Sequence, residues 1–191
     1  ITMYKIDPVT GLLSLNKTAK HPNGLIENAT NRIGPNSIKI TANLKWAYVG
    51  NNTSNNITIY PYDQNTGDLT LYKNEAVDVP GCIQTRQLAL SPAAVPSDPL
   101  YVPPSKQLYV LCQGSNDIAQ LNLDSDELLI PSKNISMVST NGASPTSMSI
   151  EANYKYIYAP NMQSNNIAEF SMESTTGHLK PLTPSVVSGG V

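Results

Sequence analysis

Arg86 has the plainest chemical capability in this chain. A guanidinium at the head of an apolar run, Arg86-Gln-Leu-Ala-Leu-Ser-Pro92, can hold a carboxylate through two parallel hydrogen bonds. The competing use is structural: donation to loop carbonyls between neighbouring sheets. Cys82 and Cys112 are the only cysteines. They form a disulfide or lie as ordinary buried thiols, and nothing beside either activates a nucleophile. His21 and His178 have no Cys, Asp or second His at ligand spacing, so no metal site is signalled and both read as turn residues. Six of the 20 asparagines (Asn16, Asn28, Asn51, Asn52, Asn56 and Asn134) stand in glycosylation sequons. With 34 Ser and Thr in 191 residues, about four would arise by chance, so turn chemistry accounts for the asparagines better.

What must position these residues is a repeat. Gly34–Gly67 recurs without a gap 110 residues later as Ser144–Gly177, with Pro35 on Pro145, Asn51 on Asn161 and Asn56 on Asn166. A third copy lies between them: Tyr109–Asp117 matches Tyr48–Asn56 at an offset of 61. A partial copy opens the chain, Ile1–Asp7 resembling Ile57–Asp63 with a Thr-Gly pair after each. Each full copy holds four short apolar runs; in the first they are Ser37–Thr41, Trp46–Gly50, Ile57–Tyr62 and Leu69–Lys73. Several alternate apolar and polar, the period of a strand with one covered face. Asn-Leu-Lys, Ser-Asn-Asn and Asn-Thr-Gly separate them, and their Asn and Gly suit the left-handed backbone of tight turns.

An all-β chain that repeats in blocks of four strands predicts a β-propeller, since each block must bury its faces on its neighbours. A β-sandwich is the competing architecture and gives no reason for such blocks. The predicted units are a half blade (1–20) and three full blades (34–80, 84–136, 145–184), with the tail Ser185–Val191 stopping where another inner strand would begin. About three and a half blades do not close a ring, and the chain begins with Ile. The expectation is a piece of a longer protein; two arcs assembling into one ring is the alternative. Arg86 then opens an inner strand and points toward the channel mouth. The Ser-Asn-Asn-type turns read as hairpin geometry, and Tyr48, Tyr109 and Tyr158 as packing between blades. The Pro-containing insertion 93–104 lies on the opposite face, as a partner contact or a tolerated excursion.

Net charge is −2 with 14% charged residues, and the two Arg and ten Lys are scattered. That excludes a basic nucleic-acid-binding stripe. No apolar run is long enough to span a membrane as a helix. Low charge with abundant Asn, Ser and Thr suits an exported protein.

The pattern Tyr-Val, Asn, Ser-Asn-x-Ile, Asp-x-x-Thr-Gly-x-Leu resembles the lactonase-type seven-bladed propellers. These include propeller-type 6-phosphogluconolactonases and carboxymuconate cyclases, with surface-layer repeat propellers as relatives. The resemblance implies a rim site with a Pro-Arg-His at one blade start and an Asn-Glu at the end of its second strand. Here those positions read Thr85-Arg86-Gln87 and Cys112-Gln113. A family Pro-His-Ser reads Pro35-Asn36-Ser37, and a family Asn-Arg reads Asn161-Met162. Opening a lactone needs a proton donor or acceptor and a cation to hold the substrate anion; Gln and Asn cannot exchange a proton near neutral pH. The expectation is therefore a non-catalytic binding or scaffold module that uses no cofactor or metal. Arg86 and Gln113 are the candidate ligand contacts, and the partner is a small anion or a protein. A lactonase drawing its catalytic groups from other blades, and a surface-layer or adhesion protein, are the alternatives.

Overall fold

The computed structural model describes residues 2–18, 34–69, 76–91, 107–130 and 135–189. Four antiparallel sheets follow one another along the chain. A two-stranded sheet pairs β1 (Thr2–Ile6) with β2 (Leu13–Thr18). The first full blade joins β3 (Pro35–Ile40), β4 (Trp46–Asn51) and β5 (Asn56–Asp63). Its fourth position holds two pieces on opposite ends of β5: β6 (Asp68–Leu69) and β7 (Ala76–Asp78). The second is β8 (Thr85–Leu90), β9 (Gln107–Cys112), β10 (Asp117–Asn122) and β11 (Ser136–Ser139). The third is β12 (Ser149–Ile150), β13 (Tyr156–Asn161), β14 (Asn166–Met172) and β15 (Leu179–Ser188). The last strands of the second and third blades reach Ser139 and Ser188, past the expected ends at 136 and 184. Residues 185–188 therefore complete a blade instead of leading into another, because β15 pairs with both ends of β14 across a register shift.

Turn residues explain the hairpins, with one correction. Asn55, Asn116 and Asn165 take the left-handed backbone (φ 54, 62 and 50°) between second and third strands, where Asn is tolerated. Gly11, Gly67 and Gly177 do so in the outer turns (φ 70, 73 and 73°), each N–H donating to the carbonyl of the acidic residue four positions earlier. In Asn43-Leu44-Lys45 and its copy, however, the positive φ falls on Leu44 (57°) and Tyr154 (58°), not on Asn. The Asn43 side-chain oxygen instead accepts the Lys45 N–H at 3.0 Å and the Thr41 hydroxyl at 2.7 Å. This side-chain bridge stabilises the turn and displaces the left-handed residue by one.

The core decides between propeller and sandwich. Every residue of β9 is buried, and its alternate side chains enter two different clusters. Leu108, Val110 and Cys112 pack with Tyr48, Ile57 and Ile59 of the preceding blade. Tyr109 and Leu111 pack with Met148, Ile157, Ala159 and Phe170 of the following one. A sheet covered on both faces by like sheets is the interior of an arc of blades; two facing layers would leave one face solvated. Burying each large aliphatic side chain contributes about 1.5–3 kcal/mol, so the two boundaries dominate the stability. At equivalent positions Leu88 is 4% and Met148 6% exposed, but Ile38 is 48% exposed. The first full blade thus has an open face, with no inner strands before it among the described residues.

Candidate ligand-binding rim

The same irregularity recurs where each first strand begins. Pro35 pairs with Asn51 but Ser37 with Gly50; Thr85 pairs with Cys112 but Gln87 with Leu111. In the third blade Pro145 bridges Asn161, while Ser149 pairs with Tyr158. Each blade slips by one residue, and in the first two the bulged residue is Asn36 or Arg86. A bulge bends its strand and re-aims a side chain. β3 lies against β8 across the blade boundary, so these starts stand together at one end of the inner strands.

Arg86 is exposed, and among the described residues no group pairs with its guanidinium. Its backbone is held closely. Asn36 Nδ2 donates to the Thr85 carbonyl at 2.7 Å and Asn52 Nδ2 to the same oxygen at 3.1 Å. Asn55 Oδ1 accepts the Gln84 N–H at 2.7 Å. On the other flank, both ends of the Gln87 amide engage Met148 of the next blade. Nε2 donates to its carbonyl at 3.3 Å, and Oε1 accepts its N–H. Ser37 does the equivalent work one blade earlier, its hydroxyl accepting the Leu88 N–H at 2.9 Å.

Gln113 Nε2 donates to the Ser144 hydroxyl at 3.1 Å, again across a boundary. Of the five positions that the resemblance marks, Asn36, Gln87 and Gln113 are committed to neighbouring blades. Arg86 and Met162, the latter 63% exposed, face solvent. Arg86 is the one cation among the marked positions, and those positions supply no group for moving a proton.

Cys82 and Cys112 are joined, with S–S 1.98 Å and Cα–Cα 5.1 Å, and both are buried. The bond ties the loop before β8 to the end of β9, where the Gln113 N–H donates to the Gln84 carbonyl at 2.9 Å. His178 lies at the far end of its blade from the rim, its Nδ1 3.3 Å from Gln120 Oε1. His21 and the insertion 93–104 lie outside the described residues. No group of three His, Cys, Asp or Glu that could hold a metal ion occurs among the described residues. Among the sequons, Asn51 and Asn56 are buried (2% and 0% exposed) and bonded to each other at 2.9 Å, which removes them as acceptors in the folded chain.

Two features escaped sequence reasoning. Asn55 and Asn116, read as hairpin geometry, also accept backbone N–H groups of the next blade, from Gln84 and from Ser144, at 2.7 Å each. Asp117 takes the hairpin position that Asn56 and Asn166 fill elsewhere. Burial raises its pKa, partly offset by a hydrogen bond from Ser115. The signal for both was present in the aligned copies, as an Asn or Asp that never varies to an apolar residue.

Blades of four antiparallel strands, arrayed side by side with their inner strands starting at one rim, define a β-propeller. The chain belongs to the lactonase family of seven-bladed propellers: the family model described as "Lactonase, 7-bladed beta-propeller" matches residues 1–85 and 91–191. Solved structures show the same fold. A provisionally assigned 6-phosphogluconolactonase of Bacteroides fragilis superposes with TM-score 0.68 at 14% identity, over 98% of this chain and 50% of its own. Its counterpart from Bacteroides uniformis gives 0.64 at 18%, over 98% and 48%. A periplasmic gluconolactonase of Pseudomonas aeruginosa gives 0.59 at 18%, over 83% and 41%. The chain thus spans about half the length of these structures or less. No curated protein matches it. Among the described residues no helix is long and apolar enough to cross a membrane.

Proposed function

We propose that this chain supplies the anion-holding part of a propeller that binds a small carboxylate- or phosphate-bearing ligand at its rim without turning it over. The observation that carries the reading is the contrast between Arg86 and its neighbours. Its guanidinium is unpaired, while Gln87 and Gln113 are amides committed to Met148 and Ser144 of the next blade. An amide locked in that way neither takes nor gives a proton, and an arginine alone does not open a lactone. Gln113, with its N–H on the Gln84 carbonyl and its side-chain amide on Ser144, braces the rim instead of holding the ligand. The reading goes with one partial propeller over 1–191, divided into a half blade and three full ones. Low charge and the likeness to a periplasmic protein support export.

A second reading has a specific observation in its favour: the solved neighbours include proteins named for lactone hydrolysis. Under it, acid, base and further cations come from blades outside this chain. Assaying the intact protein on 6-phosphogluconolactone and glucono-lactone separates the two. The binding reading expects ring opening no faster than the spontaneous rate. It also expects gluconate or 6-phosphogluconate affinity to fall about tenfold or more in Arg86→Ala, the scale of one lost charge-assisted pair. Turnover that Arg86→Ala abolishes overturns it.

A further inference from the structure

The geometry points to Asn36 and Asn52 as positioning residues for Arg86, which act through the Thr85 carbonyl and set the rim to receive a planar carboxylate. This rests on the reading of Arg86 as an anion holder. Two side-chain amides from the first full blade converge on one oxygen of the second, at 2.7 and 3.1 Å. That oxygen belongs to the peptide immediately before the bulged residue. A carbonyl with both lone pairs taken by fixed donors cannot rotate without losing two hydrogen bonds, so the φ of Arg86 is fixed from the preceding side. Gln87 fixes the following side through Met148. The arginine is the exposed residue between two immobilised neighbours.

The next blade boundary shows that this is not a general property of the repeat. There the equivalent carbonyl is that of Pro145, before Thr146. The residues equivalent to Asn36 and Asn52 are Arg86 and Gln113. Gln113 bonds the Ser144 hydroxyl instead, and Arg86 donates to nothing described, so no side-chain amide reaches the Pro145 carbonyl. The double clamp is made on the carbonyl before Arg86 and is absent on the equivalent carbonyl before Thr146. The same comparison argues against a structural role for Arg86, because its counterpart Asn36 ties two blades together and Arg86 does not. A guanidinium held at its root and free at its fork suits a ligand that needs two parallel acceptors in one plane, which is a carboxylate.

The test titrates the intact protein with D-gluconate by calorimetry and follows the Arg86 Nε–H resonance in the nitrogen-15 NMR spectrum. Wild type is expected to bind and to shift that resonance. Asn36→Ala and Asn52→Ala, each leaving one donor, should weaken binding about threefold. The double variant should weaken it about tenfold, in line with loss of positioning around an intact contact group. At wild-type ligand concentrations the Arg86 resonance should shift less in these variants, in proportion to their lower occupancy, although thermal unfolding remains cooperative. Asn65→Ala, on an exposed outer turn, should bind as wild type. If Arg86→Ala loses gluconate but the single and double asparagine variants bind within twofold of wild type, the clamp is wrong and the anion site stands. If wild type binds no gluconate, or Arg86→Ala binds it equally well, the anion site itself is wrong and the clamp falls with it.

Discussion

A buried phenol closes both boundaries between the full blades. Tyr48 and Tyr109 are fully buried, and their hydroxyls donate to backbone carbonyls in the outer turn of the following blade, Glu127 and Gly177, at 2.5 Å each. Phenylalanine would keep the packing and leave a buried carbonyl unpaired, at a cost of about 1–2 kcal/mol. Urea titration of Tyr48→Phe and Tyr109→Phe should therefore show midpoints lowered by similar amounts. Burial pushes the Tyr48 phenol well above its ordinary pKa. Its contribution is whole below the unfolded phenol value of about 10 and is lost as pH climbs from there.

Asp117 has the same sign at the acid end. Its folded pKa is raised by burial, so its stabilising protonated form is lost as pH rises through that value, and the ionised form is a cost at neutral pH. Asn56 and Asn166 in the equivalent hairpins accept an amide from Asn51 and Asn161, whereas Asp117 stands opposite Cys112. Asp117→Asn should raise stability at pH 7 by about half a kcal/mol, kept small because the group is partly solvated. The gain should disappear below about pH 4, as thermal melts across that range would show. The tyrosines were legible as blade packing because they sit mid-strand in every copy. Their acceptors were not, since each lies about 70–80 residues away in the chain.

At the scale of elements, the disulfide replaces an asparagine ladder. Cys112 occupies the strand end that Asn51 and Asn161 occupy in the other full blades. A bond across 30 residues restricts the unfolded chain by about 3–4 kcal/mol. Cys82→Ser with Cys112→Ser should lower the denaturation free energy by that order, measured by urea unfolding, and reductant should then have no further effect. Strand existence and order followed from alternation and Asn- or Gly-bearing turns. Local details did not: Leu44 carries the left-handed backbone beside the Asn43 bridge to Thr41 and Lys45, and Tyr154 carries it in the copy, where the Lys155 N–H donates to Glu151 instead. The extra length of β15 came from pairing with β14, which no local propensity records.

At the scale of the molecule, the described arc leaves apolar surface uncovered. Ile38 and Ile40 are 48% and 38% exposed on one blade face, and Leu13 and Leu15 are each 64% exposed on the two-stranded sheet. Contiguous exposed apolar faces and bare strand edges promote association. The 191-residue chain produced by itself should scatter light and bind a hydrophobic dye at micromolar concentration. Ile38→Ser with Ile40→Thr should reduce both; a monodisperse, dye-silent chain would contradict the open face.

The order of residues alone determined the all-β character, the blocks of four strands and the turn positions. These depend on period-two alternation and on backbone preferences within a few neighbours. Tertiary structure alone decided what the amides at the rim do. A side chain's identity states how many hydrogen bonds it can make, but its partners are set by which blade stands beside it. Gln87 became a strut on Met148, Asn36 and Asn52 met on one carbonyl, and Arg86 was left open because contacts between residues some 30 to 60 apart form only once the sheets are packed side by side.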